Sequence, residues 1–174
     1  MRAQRSATLA SRAEQLRRAV DVGEGRLNPD VLVHAKAVLD RTAERTARSA
    51  EHTVVALAGA TGAGKSSVFN ALVGGELART SRQRPTTSLA LAAVADSPEL
   101  PGSSATDLLD WLGIPSRHDI AASQHTPSGL VLLDLPDHDS VVAEHRLRAD
   151  YVTERADLLV WVTNPQKYAD GILH

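Results

Sequence analysis

Apolar positions change their spacing near residue 53. Before it, Leu9, Ala13, Leu16 and Val20 recur at intervals of four, three and four. That is one stripe of an amphipathic helix, and Gly23 and Gly25 end it. Asn28 caps a second helix, with Pro29 at its first position. Val31, Ala35, Val38 and Thr42 continue the seam, with Leu39 beside them. Two helices of about 20 residues, each roughly 30 Å long, predict an antiparallel helical hairpin over residues 1–52.

After residue 53 the pattern switches to short apolar runs separated by helical segments. Thr53–Ala58 reads as a buried strand, and Ser66–Val73 as a helix with Val68, Leu72 and Val73 on one side, stopped by Gly74 and Gly75. Ser88–Ala95 reads as a strand, although its alanines suit a helix as well. Thr106–Leu112 is a short helix stopped by Gly113 and Pro115, and Ser140–Arg155 a longer one. Gly129–Asp134 and Asp157–Thr163 are expected to be buried strands, with Trp111 and Trp161 in the core. Such alternation predicts an α/β layered fold with a mostly parallel sheet over residues 53–174.

Composition narrows this only modestly. The chain has 174 residues, 43% of them hydrophobic, enough for one globular core with an appendage. A net charge of −2 supplies no field to recruit nucleic acid. There is no cysteine, which excludes a disulfide framework and fits a cytoplasmic home. No window has the roughly 18 consecutive apolar residues of a membrane span, so a soluble chain is expected, with membrane contact only through sequence further downstream. Residues 1–52 carry 10 Lys and Arg against 7 Asp and Glu. The hairpin reads first as a packing arm; the alternative is an arm that binds a second copy, another protein or a membrane.

Residues 59–66, GATGAGKS, change the picture most. They fit G-x-x-x-x-G-K-[ST], a phosphate-binding loop, between a strand and a helix as that motif requires. Gly59 and Gly64 allow the tight turn, and the amides of Ala60, Thr61, Gly62 and Ala63 can then point inward at phosphate oxygens. Lys65 reaches the terminal phosphates, and Ser66 offers a hydroxyl to magnesium. The fold expected is therefore a P-loop NTPase three-layer sandwich, incomplete in this chain, behind the hairpin. Asp134 ends a buried strand, where an open α/β sheet places ligand-facing groups. It should hold magnesium through a water, with the following helix as a switch; the plainer reading is an aspartate capping a turn. Between the two motifs, the polar stretch Arg79–Thr87 offers Thr86 or Thr87 as a second magnesium hydroxyl.

GATGAGKS, then Arg84-Pro-Thr-Thr87, then a strand ending Asp134-Leu-Pro-Asp137, resembles the GTPases of the translation-factor-related class. Bacterial dynamin-like and Era-like members are most similar, because a helical segment precedes their GTPase core. The segment Ala156–Val162 with Asn164–Asp170 also looks like the strand after switch II in that class. The resemblance covers roughly residues 53–170. It implies phosphate binding by Gly59–Ser67, Ser67 included, switch I at Thr86 and Thr87, switch II from Asp134, and GTP and Mg2+ as ligands. It further implies catalytic roles for Lys65, Thr87 and His138, the last standing where translation factors carry a water-orienting histidine.

Two departures qualify that likeness. Asp137 occupies the glycine of D-x-x-G, whose amide would meet the γ-phosphate, and a carboxylate there disfavours turnover more than binding. The guanine-reading N/T-K-x-D motif should follow one strand later than Asn164-Pro-Gln-Lys167, which is read instead as the loop after its strand. The chain is thus expected to be part of a longer GTPase, discriminating poorly between GTP and ATP in this form. The rival readings are a P-loop ATPase, disfavoured by Leu135-Pro136 after the strand-end aspartate, and a non-catalytic nucleotide-binding or helical interaction module.

Overall fold

The computed structural model describes residues 2–49, 51–78, 90–95, 105–136 and 143–164, with side chains from residue 9 on in the first stretch and from 146 on in the last. Thr86, Thr87, Asp137 and His138 lie outside the described residues. The chain divides into two compact units, Met1–Ala50 and Glu51–His174.

The first unit is a helical hairpin, α1 (Arg2–Gly23) and α2 (Pro29–Arg48). The Gly23 carbonyl accepts from the Arg26 and Leu27 amides, and Gly25 takes a positive φ of 72° in the turn. Asn28 Oδ1 then accepts from the Asp30 amide at 2.9 Å, capping α2 as its sequence implies. The seam differs from the expected one by one position on α2. Leu39 is buried and Leu32, Ala35 and Thr42 are half-buried, whereas Val31 and Val38 face solvent. Leu9 is exposed too, and Val20 is the buried anchor of α1. Lys36 donates to Glu24 at 2.8 Å, which holds the Glu24 carboxyl below, and the Lys36 ammonium above, their ordinary pKa values. Both groups are solvated, so the pair adds little stability.

The second unit is built on a five-stranded sheet of β1 (Thr53–Ala58), β2 (Leu91–Ala95), β3 (Ser116–Asp119), β4 (Leu130–Asp134) and β5 (Leu158–Trp161), in the order β3-β2-β4-β1-β5. β1 pairs in parallel with both β4 and β5; β2 runs antiparallel to β4, and β3 runs parallel to β2. The sheet is therefore mixed, with three of the four pairings parallel. The helices are α3 (Lys65–Val73), α4 (Thr106–Trp111) and α5 (Ala143–Thr153).

Strand alternation sorts the side chains into two cores. Val54, Ala56 and Ala58 join Leu108, Leu109 and Val152 on the side of α4 and α5. Leu57 joins Phe69 of α3 and Leu132 on the other side. This is the three-layer α/β arrangement of a P-loop NTPase. All five residues of β2 are buried, which explains its alanines: a strand flanked by β3 and β4 and covered on both faces takes small side chains well. The buried face of α3 is Lys65 and Phe69, four apart, while Val68 and Leu72 face solvent.

β3 has no counterpart in the apolar pattern, because Ser116–Asp119 is a polar edge strand. β5 was expected to be buried, yet every residue of it is exposed, Leu158 by 55% and Trp161 by 39%. The reason is position: among the described strands β5 is an edge. Trp111 is half-buried against the α4 core, so only one tryptophan behaves as expected. Among the described residues, no helix is long and apolar enough to cross a membrane.

Candidate phosphate-binding site

The loop between β1 and α3 holds its shape through its own backbone and through β5. Gly59 leaves β1 with φ 145°, and a Cβ there would sit 2.2 Å from the Val162 carbonyl oxygen. The Val162 amide in turn donates to Ala58 O at 2.7 Å. Only a residue without a side chain lets these two backbones approach so closely. The Ala63 amide then donates to Ala60 O at 3.1 Å, closing a turn with Gly62 at φ 74° in its third position, where such a turn calls for glycine.

Lys65 does more than project toward a ligand. It is 6% exposed, and its Nζ donates to Gly59 O at 2.9 Å and Ala60 O at 3.1 Å. These bonds fix the ammonium at the centre of the loop. Gly64, the N-cap of α3, has φ 100° and offers no side chain to the first amides of the helix. The first-turn amides at the helix N-terminus and the helix dipole together favour an anion.

Beneath the loop, the structure brings together two residues that the sequence proposes as magnesium ligands. Ser66 Oγ donates to Asp134 Oδ2 at 2.7 Å, across 68 residues of chain. Asp134 is the last residue of β4 and fully buried. A buried carboxylate is stable only with strong compensation. Hydroxyl and carboxylate oxygens are hard donors, and magnesium takes one or two carboxylates plus phosphate oxygens rather than an all-protein cage. The donor set therefore fits magnesium. Among the described residues no group of three or more His, Asp or Glu could hold a metal.

Two asparagines contact the site in ways that the sequence does not assign, Asn70 and Asn164, the latter read only as part of the loop after its strand. Asn70 on α3 accepts from the Leu77 and Ala78 amides at 3.1 and 2.8 Å and donates to Ala78 O at 2.8 Å, so it shapes the start of the segment leading to Arg79–Thr87. Asn164, just beyond β5, donates from Nδ2 to Gly62 O at 3.5 Å. That position agrees with reading Asn164 as part of the loop after its strand. For Asn70 a faint signal exists, a polar residue amid the apolar stretch of α3; for Asn164 there is none short of the fold.

The profile of the 50S ribosome-binding GTPase family matches residues 54–173, most of the chain. No curated protein matches. Two solved structures described as an oligomerised bacterial dynamin pair, which senses and tethers membranes over long range, are similar with TM-scores of 0.45 and 0.44, each at 16% identity. They cover 97% of this chain, which spans 36% and 30% of theirs. With the sheet, the glycine loop and the family match in agreement, this chain belongs to that GTPase family.

Proposed function

We propose that the protein hydrolyses GTP to GDP and uses the reaction as a conformational switch. The observation that carries this reading is the Ser66–Asp134 contact directly under a loop whose lysine is already centred. Ser66 would hold magnesium by its hydroxyl and Asp134 through a water, with Thr86 or Thr87 completing the set; bound magnesium supplies charge neutralisation at the β- and γ-phosphates. Lys65 neutralises the same oxygens from the loop side, and the amides of residues 60–67 cradle them. His138 would orient the attacking water, with Asp137 beside the γ-phosphate. Loops ordered by the γ-phosphate relax once it leaves.

The test is phosphate release from GTP by the purified chain, with magnesium and with EDTA, alongside competition between GTP and ATP. Magnesium-dependent release from GTP supports the reading, with ATP expected to compete comparably because the guanine-reading motif is not found in this sequence. Clear preference for ATP favours the ATPase alternative, and tight GTP binding without release leaves a non-catalytic binding module. We further propose that the protein works in the cytoplasm and that the hairpin binds a second copy or a protein partner; the solvent-facing Val31 and Val38, seven apart on α2, support this. Loss of self-association or of partner capture in Val31→Lys/Val38→Lys would support that role, and unchanged behaviour would remove it.

A further inference from the structure

We infer that Asn164 is a positioning residue for the phosphate loop, an inference that rests on the GTP-binding reading above. Hydrogen bonds hold the loop's tip. Among the described residues, nothing lies within 4 Å of where a Cβ at Gly62 would sit, so the tip is open on that side. Within one planar trans peptide, the Gly62 carbonyl and the Ala63 N–H point in opposite directions. The Ala63 N–H is tied to Ala60 O at 3.1 Å, and the Gly62 carbonyl is tied to Asn164 Nδ2 at 3.5 Å. The peptide plane at the tip is thus held from both ends, one end within the loop and the other by Asn164, which follows β5.

That strand is itself locked to the base of the loop. Val162 N donates to Ala58 O, and Gly59 lies directly under Val162 O. Asp157 anchors the other end of β5: its Oδ2 accepts from the Val54 amide at 2.7 Å, and its own amide donates to Val54 O at 2.9 Å. Asn164, two residues beyond the tied backbone at Val162, therefore reaches the tip of the loop from the stretch that follows β5. Without its donor, the glycine at 62 permits the tip peptide to rotate, and the amides that should converge on phosphate lose their alignment. The contact is long and solvated, so the effect expected is graded rather than complete.

The experiment measures GTP and GDP affinity with magnesium, and thermal unfolding, for the full chain and for Asn164→Ala, Asn164→Asp and Asn164→Gln. Alanine removes the donor. Aspartate keeps the shape but turns a carboxylate oxygen toward the Gly62 carbonyl. Glutamine restores an amide donor. The expectation is a loss of about five- to tenfold in affinity for both nucleotides in Asn164→Ala. Asn164→Asp should lose more, Asn164→Gln should recover most of it, and all three should unfold within a degree or two of the parent, on the order of 0.5 kcal/mol. Affinities within twofold of the parent for alanine and aspartate overturn the inference, as does a loss that tracks a falling unfolding temperature and is not rescued by glutamine. If the parent chain itself binds neither nucleotide, it is the GTP-binding reading that fails.

Discussion

Ser66 Oγ and Asp134 Oδ2 lie 2.7 Å apart, joining the first turn of α3 to the last residue of β4. The contact sets the two side chains at the spacing of groups that share a ligand, and it also compensates a carboxylate that is fully buried. Replacing Asp134 with Asn keeps the volume and an oxygen for Ser66 but removes the charge. Magnesium-dependent GTP affinity should fall about 10- to 100-fold, the usual cost of losing a group that orients a metal, while affinity in EDTA changes little. Titrations at several magnesium concentrations check this; an equal loss with and without magnesium would instead assign Asp134 to the fold.

Lys65 has two tasks, and its removal should show both. A lysine serving only as a ligand group would leave stability untouched when truncated. Here the ammonium satisfies two loop carbonyls, and each one left without a partner costs about 1–3 kcal/mol where it stays dry. Lys65→Ala should abolish measurable nucleotide binding and also lower the unfolding temperature of the nucleotide-free protein. An unchanged unfolding temperature would mean that water replaces the ammonium at no cost.

The glycines offer a graded series. At Gly59 a Cβ would strike backbone, and φ is also positive. At Gly64 φ is 100° but nothing lies within 4 Å, so only conformational strain remains, about 1–2 kcal/mol. At Gly75 there is neither a clash nor a positive φ, and alanine should be neutral or slightly stabilising through the unfolded chain. Denaturant unfolding of the three alanine variants should therefore rank Gly59 as most damaging, then Gly64, then Gly75. A Gly64 variant less stable than the Gly59 variant would contradict the close approach of the loop to β5.

Much of this site was legible along the chain, for reasons that can be assigned. The octapeptide at 59–66 is contiguous, and its mechanics are local, so sequence sufficed. Asp134 could be placed because Leu130–Leu133 is an unbroken apolar run that ends at it. The bonds from Lys65 to Gly59 and Ala60 depend on how the loop folds over itself, and the bond from Asn164 to Gly62 spans 102 residues; no spacing encodes either. β3 was invisible because an edge strand needs no apolar face. On α2, Val31 and Val38 carry the same period as Leu32 and Leu39, so periodicity gave the helix but left its rotation undecided; packing chose the larger leucines.

Asn70 should matter more than its half-exposed position suggests. Its side chain makes three hydrogen bonds to Leu77 and Ala78, and its backbone oxygen accepts from both Gly74 and Gly75 at the end of α3. Asn70→Ala removes the three side-chain bonds and should cost about 2–3 kcal/mol. Asn70→Asp sets a carboxylate oxygen against Ala78 O but keeps two acceptor contacts, which a carboxylate strengthens, so it should cost less. Equal effects of the two substitutions would show that the acceptor contacts contribute nothing.

β5 makes the last prediction. Its register with β1 sets Leu158 and Val160 on the side of Leu57, with Leu159 and Trp161 on the other, and all four are exposed. Among the described strands β5 is an edge, and an apolar edge strand with exposed side chains is a template for association. The 174-residue chain should therefore self-associate as its concentration rises, and the Trp161 indole should become less accessible to acrylamide in parallel. Leu158→Lys, which sets a charge on the bare edge without touching the phosphate loop, should suppress both changes. Trp161→Phe should remove the concentration-dependent part of the quenching and leave the Trp111 contribution in place. Sedimentation that stays monomeric while Trp161 remains equally quenched at every concentration would show that the strand tolerates its exposure, and that its apolar character serves something other than covering this edge.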